Sequence, residues 1–201
     1  RMYNHPPFRR AYFRAVQNSV SNAFVTAKYE AVMDAKYAAL VANGIPLCDG
    51  QALVAPTAVK TWFSQRRAFL VGQLNGVAAN FAITSNSGND FTVNTNLLTL
   101  AGTAPIGVKG IRVNGRDYPV TWTGVTTWSL RLLVNPGETS FTLEPYDDAG
   151  KVLSHLTDSI AITSTATNES PVGRVVINEI MYNPKVPDAE FVEIHNTSAT
   201  T

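Results

Sequence analysis

The chain has 201 residues, 45% hydrophobic and 15% charged, so it can bury the core of one or two globular domains and is too apolar for a disordered chain. Its 16 basic and 15 acidic side chains give a formal net charge of +1, which argues against nucleic acid as a partner. The single cysteine, Cys48, excludes an intramolecular disulfide, and no apolar run approaches the roughly 20 residues that span a bilayer.

Residues 1–76 carry a helical pattern, because apolar side chains return every three or four positions, at Phe8, Tyr12 and Val16 and again between Val25 and Leu40. Prolines 6 and 7 favour a helix start, and the pair at 43–44, Asn-Gly, favours a stop. A third helix is predicted from about Pro56 to residues 75–76. Its inward side chains are expected to be Val59, Trp62, Phe63, Phe69, Leu70 and Leu74.

Residues 79–163 change in composition toward Thr, Val, Asn and Gly, and the apolar period falls toward two, which indicates β-strands. Turn signals separate the strands at Asn114-Gly115, Pro136-Gly137 and residues 148–150. Short strands with turns at this spacing predict an antiparallel sandwich. A polar linker over 164–173 and a second β segment over 174–201 follow. The predicted fold class is therefore α+β in a multidomain chain.

Three carboxylates, Glu144, Asp147 and Asp148, are the metal candidates, because oxygen ligands in a loop suit Ca²⁺. The alternative is hairpin-turn chemistry, which the Asp-Asp-Ala-Gly run also fits. His5, His155 and His195 lack the spacing of a zinc site.

Three tryptophans, Trp62, Trp122 and Trp128, could stack on a sugar if exposed, or fill the core. Several arginines could meet phosphate, although their places beside amphipathic helices favour a solvated face: Arg9, Arg10, Arg14, Arg66 and Arg67. No Gly-rich phosphate loop follows any predicted strand, so we expect no catalytic or cofactor-binding residue in this chain.

The end of the chain resembles the start of a lamin-tail domain, an immunoglobulin-like sandwich appended to many bacterial exported proteins. Two blocks carry the likeness: Val176, Ile177, Asn178, Glu179 and Ile180, then Glu190, Phe191, Val192, Glu193, Ile194 and Asn196. They match only the first strands of a domain of about 100 residues. We therefore expect the chain to be a piece of a longer protein that stops inside this domain.

The middle region is similar to immunoglobulin-like modules that precede lamin-tail domains, on Val113-Asn114-Gly115, Trp122, Trp128 and Pro136-Gly137. The opening region resembles the C-terminal helical end of the CotH family of spore-coat-type, protein-kinase-like proteins. The matching positions there are Pro7, Phe8, Arg9, Arg10, Trp62 and Arg66. The resemblance implies a parent protein that uses ATP and Mg²⁺ through a core lying upstream of these residues.

Three functions stay open at this point. The first is a non-catalytic structural, adhesive or interaction region of a secreted or cell-surface protein, with a protein or a surface polysaccharide as partner and an export signal upstream. The second is the C-terminal part of a CotH-type secreted kinase. The third is a carbohydrate-binding module, which requires Trp122 and Trp128 to be exposed together.

Overall fold

The computed structural model describes residues 2–45, 47–48, 51–167 and 170–198. The first part is helical, with α1 over Pro6–Asn22, α2 over Thr26–Ala42 and α3 over Thr57–Asn75. Two short strands, β1 (Leu47–Cys48) and β2 (Gln51–Ala52), pair between α2 and α3. Within the described ranges no helix combines the length and apolarity that a membrane span requires.

The helix ends follow the local signals in the sequence. Pro6 and Pro7 occupy the first turn of α1, where a missing backbone N–H costs nothing. After α2 the chain turns through Gly44, whose φ of 64° lies in the left-handed region. The N–H of Ile45 then donates to the carbonyl of Leu40 at 3.1 Å, which closes the helix end.

The predicted inward stripes of the helices are partly wrong. α1 packs on α3 through Val16, Val20 and Leu70, and the rest of the buried side of α1 is formed by Arg10 and Phe13. Six side chains that were predicted to face inward are instead about half exposed. They are Phe8 and Tyr12 on α1, Val32 on α2, and Val59, Trp62 and Phe69 on α3. Apolar residues lie on more than one side of each helix, so the contact between α1 and α3, not the period, decides which side is buried.

Two sheets form the middle of the chain. The four-stranded sheet has the order β3-β5-β9-β8, and its strands are β3 (Ala82–Ile83), β5 (Leu97–Thr103), β8 (Thr121–Trp122) and β9 (Thr127–Leu133). The five-stranded sheet has the order β4-β11-β10-β6-β7, and its strands are β4 (Phe91–Val93), β6 (Gly110–Val113), β7 (Arg116–Tyr118), β10 (Gly137–Tyr146) and β11 (Asp158–Ser164).

This strand order is immunoglobulin-like. Lettered along the chain, β3, β5, β8 and β9 are strands A, B, D and E, and β6, β7, β10 and β11 are C, C′, F and G. The opening strand is divided, because β3 belongs to one sheet while β4 pairs with β11 in the other. The β4–β11 pairing is parallel and every other pairing in the two sheets is antiparallel. The predicted α+β class with a β-sandwich is confirmed.

Trp128 lies in the centre of the sandwich core, with 1% of its surface exposed. Its indole N–H donates to the carbonyl of Thr103 at 2.8 Å, and Phe81 stacks on it with ring centroids 6.0 Å apart. The surrounding core side chains come from both sheets: Leu100, Ile111, Leu130, Leu132, Leu143, Ile160 and Ile162. This tryptophan is on strand E, whereas antibody domains place theirs on strand C beside a disulfide.

The predicted turns are present. Asn114 and Gly115 have φ of 51° and 77° between β6 and β7, the left-handed pair that a tight hairpin needs. The Asn114 side chain also accepts from the N–H of Thr142 and donates to the carbonyl of Ser140, which ties this turn to β10. Gly150, with φ of 77°, closes the predicted turn that follows β10.

The last described element is a two-stranded antiparallel ribbon, β12 (Val175–Met181) with β13 (Phe191–Asn196). A bulge at Asn178 shifts the register, so that one side of the ribbon is apolar except at its end, where Asn196 pairs with Val175. The apolar residues of that side are Val175, Ile177, Ile180, Val192 and Ile194, all between 44% and 66% exposed. Before the ribbon, β11 continues to Ser164, one residue into the predicted linker.

Candidate functional site

The junction between α1 and one end of the sandwich holds the most unusual polar group of the described chain. Arg10 extends the buried side of α1 by one turn beyond Phe13, and only 1% of its surface is exposed. Its Nη1 donates to the carbonyl of Val125 at 2.5 Å, and its Nη2 donates to the carbonyls of Val108, at 2.7 Å, and Pro105. A helical side chain thus bonds to two loops of the sandwich.

The ring of Trp122 completes the surroundings of this guanidinium. The Cζ atom of Arg10 lies 3.6 Å from the centroid of the indole, which is the geometry of a cation–π contact. We call the three carbonyls and this ring the Arg10 socket. Burial, and secondarily the charge of Arg14, lower the pKa of the Arg10 guanidinium to about 9, so it stays protonated at neutral pH.

A groove of about 670 Å³ runs beside the socket, between α1 and the turn that follows β10. Arg14, Gln17 and Asn18 line its helical wall, and Asp147 and Asp148 line the other. Arg14 forms an ion pair with Asp148 across the groove. This ion pair is therefore a second polar link between α1 and the sandwich, beside Arg10.

The structure does not bring the three metal candidates together. Asp147 accepts the N–H groups of Ala149 and Lys151 at 2.9 and 3.0 Å, Asp148 pairs with Arg14, and Glu144 accepts the N–H of Gly115 at 3.0 Å. Over the described ranges, no group of three His, Cys, Asp or Glu side chains could hold a metal ion. The turn chemistry of Asp147 is the alternative that the sequence had left open.

The tryptophans do not form an exposed pair. Trp128 is buried in the core, which confirms the core interpretation for this residue. Trp122 is partly buried, and Arg10 covers one face of its ring. Trp62 is 55% exposed on α3, contrary to the inward position expected for it, because that side of α3 faces away from α1. No two tryptophans of the described chain offer coplanar open faces to a sugar.

Arg10 is the residue of this candidate site whose position was predicted wrongly from the sequence, because a solvated face was expected for it and only 1% of its surface is exposed. Arg9 lies near the exposed ring of Tyr3, 5.5 Å from its centroid, and Arg66 lies beside Phe69. The signal that could have found Arg10 is its position three residues before Phe13, in line with Val16 and Val20. An arginine in such a stripe needs acceptors for its N–H groups, and here other parts of the chain supply them for the two terminal nitrogens, whereas the buried Nε has no hydrogen-bond partner.

Comparisons with known proteins give no family for this chain: neither a protein-family model nor a curated protein matches it. Among solved structures it is similar to the fibronectin(III)-like modules of Clostridium thermocellum CbhA, at 17% identity over 44% of this chain and 99% of that one, with a TM-score of 0.33.

Two further solved structures are similar over about half of this chain. An endo-beta-1,4-mannanase from Thermotoga petrophila is 13% identical over 55% of this chain and 24% of that one, with a TM-score of 0.34. The SrpA adhesin of Streptococcus sanguinis is 18% identical over 46% of this chain and 61% of that one, with a TM-score of 0.27. The assignment of an immunoglobulin-like sandwich rests on the strand order itself.

Proposed function

We propose that this chain is a non-catalytic spacer that resists tension between neighbouring parts of an exported bacterial multidomain protein. The observation that carries the proposal is the parallel pairing of β4 with β11. These strands lie close to the points where the chain enters and leaves the sandwich. Phe91, Thr92 and Val93 are in register with Ile162, Thr163 and Ser164.

Tension along the chain shears this pair. Pulling from the helical side draws β4 toward its own N-terminus, while pulling from the ribbon side draws β11 toward its C-terminus. Because the strands are parallel, these directions are opposite, and all hydrogen bonds between them are strained together. Antiparallel strands pulled apart at one end would instead lose their bonds one at a time.

Two side-chain hydrogen bonds and one backbone hydrogen bond extend the contact between β4 and β11 beyond their three paired residues. Asp90 accepts the N–H of Ala161 at 2.7 Å, and the N–H of Thr165 donates to the carbonyl of Val93 at 2.8 Å. The hydroxyl of Ser164 donates to the carbonyl of Thr95 at 2.9 Å. These contacts lengthen the sheared segment at both ends, which raises the number of bonds that must fail together.

Single-molecule pulling between Ala78 and Ala166, with Cys48 replaced by serine, tests this proposal. Asp90→Ala removes the acceptor for Ala161, and Thr165→Pro removes the donor to Val93, so both should lower the force at which the sandwich unfolds. Asp117→Ala is the matched control, since its exposed carboxylate pairs with Arg112 at the opposite edge of the same sheet. Equal unfolding forces in all variants would rule out the shear pair as the resisting element.

The finer identity of the parent protein is also proposed. The chain contains helices first, then an immunoglobulin-like sandwich and then a two-stranded ribbon. A protein with CotH, immunoglobulin-like and lamin-tail regions would have its parts in the same order. The two lamin-tail-like blocks coincide with β12 and β13, except that Glu190 precedes β13 by one residue. This organisation supports a location outside the cell, with a protein or a surface polysaccharide as partner.

The second candidate is the tail of a CotH-type secreted kinase, favoured by large apolar side chains exposed on all three helices, including Phe8, Val32 and Trp62. A kinase core would cover such residues. The chain itself should neither hydrolyse ATP nor transfer its phosphate in the presence of Mg²⁺. Metal-dependent turnover by a clean preparation would overturn the non-catalytic proposal.

A further inference from the structure

The Arg10 socket is formed by backbone that is itself held in place. The loop after β5 contains Ala104 and Val108, both fully buried, and the N–H of Val108 donates to the carbonyl of Pro105 at 3.1 Å. The N–H of Ala104 donates to the carbonyl of Thr126 at 2.8 Å, which joins this loop to the β8–β9 turn. The two loops thus present their carbonyls from one connected end of the sandwich.

The chemistry of the socket suits a guanidinium better than an ammonium. The carbonyls of Pro105, Val108 and Val125 can only accept, and they meet the two terminal nitrogens of Arg10 from different directions. A planar cation can donate in its own plane while its face rests on the indole of Trp122. The rounder ammonium of lysine carries three donors and has no flat face to stack.

From this geometry we propose that the Arg10 socket is a guanidinium-binding site that docks the helical part of the chain on the sandwich in one fixed orientation. Arg10 contributes every hydrogen bond that joins α1 to the socket, and the ion pair of Arg14 with Asp148 lies outside it, with 20% of the Arg14 side chain and 61% of the Asp148 side chain exposed. Because solvent screens the exposed carboxylate, we expect this pair to contribute less to docking than the fully buried guanidinium. Loss of Arg10 should therefore release the helices while the sandwich stays folded.

The test uses the complete chain with Cys48 replaced by serine and spin labels at Gln65 on α3 and Ser159 on β11, two exposed positions. The unsubstituted chain should give a narrow distribution of label distances. Arg10→Ala and Arg10→Lys should both broaden it and speed amide exchange in residues 8–22 at least tenfold. Arg9→Ala, at the neighbouring exposed position, is the matched control and should change neither measurement.

Adding a small cation to the Arg10→Ala variant tests whether the socket recognises a guanidinium specifically or whether the helices are held by ordinary packing. Millimolar ethylguanidinium should restore the narrow distribution to Arg10→Ala, whereas the same concentration of ethylammonium should not. Amide exchange in β5, β9 and β10 reports at the same time that the sandwich is intact. If Arg10→Ala does not fold, Trp122→Leu keeps all three carbonyls, removes the ring face and should broaden the distribution partly.

Two outcomes would overturn the proposal. One is an unchanged distance distribution in both Arg10 variants, which would mean that other contacts fix the helices. The other is equal rescue by ethylammonium and ethylguanidinium, which would mean that the site selects charge alone. Neither outcome depends on how the sandwich responds to force, because the β4–β11 pair contains none of the socket residues.

Discussion

Gly102 in β5 is the position where a single methyl group should do the most damage. A Cβ atom added there would lie 2.1 Å from Cζ2 of Trp128 and 2.3 Å from the carbonyl oxygen of Ala82. The first neighbour is a ring with 1% exposure, and the second is backbone of β3, so neither can move away cheaply. Overpacking in cores costs about 1–3 kcal/mol, and the Gly102→Ala variant should lie near the upper limit.

The expected cost is large enough to measure by thermal unfolding. At about 4–8 °C per kcal/mol for a domain of this size, 3 kcal/mol lowers the Tm by about 12–24 °C. Near-ultraviolet circular dichroism follows the environment of Trp128 directly. Gly107→Ala is the control, because its Cβ would only touch the end of the Gln17 side chain at 3.7 Å. A Gly102→Ala variant within about 0.5 kcal/mol of the parent would refute this account of the core.

Three further changes test other parts of the fold. Gly72→Ala in α3 should stabilise the helical part by about 0.5–1 kcal/mol, measured by urea unfolding at 222 nm, because nothing lies within 4 Å of the new Cβ and alanine is the better helix former. Trp128→Phe should cost about 1–3 kcal/mol in the same experiment through the lost indole hydrogen bond to Thr103 and the lost volume. Amides of Val176 to Ile194 in dilute chain should exchange far faster than those of β10, since an isolated ribbon is marginal in water, and equal protection would reveal an intramolecular partner.

Local signals in the sequence predicted the elements better than the contacts between them. The Asn114-Gly115 turn and the Gly44 helix end depend on residues that accept positive φ, a property readable from the chain alone. The core position of Trp128 followed from alternation within a strand pattern. Each of these features is decided within a few residues, so it does not require knowledge of the tertiary arrangement.

The features on which the two proposals rest are non-local. Burial of Arg10 depends on carbonyls 95 to 115 residues away, and the β4–β11 pair joins residues about 70 apart. The spacing of apolar residues predicted that α1 and α3 are amphipathic. Which side of each helix is buried depends on where its neighbours pack. Carboxylates at 144, 147 and 148 are close in sequence, yet strand alternation and the following turn direct them to different partners.

The two proposals assign orientation and mechanical resistance to separate parts of this chain. Arg10 joins α1 to loops at one end of the sandwich, whereas residues 76–81 join α3 to β3 covalently. Tension must pass through the covalent connection between α3 and β3. The three hydrogen bonds of Arg10 can therefore break while force is still transmitted to the sandwich. On the proposed shear mechanism, the sandwich resists until β4 and β11 slide past each other, because β4 is drawn toward the helices and β11 toward the ribbon. A spacer arranged in this way would hold its neighbours at a defined angle at rest and yield at the helical junction before the sandwich unfolds.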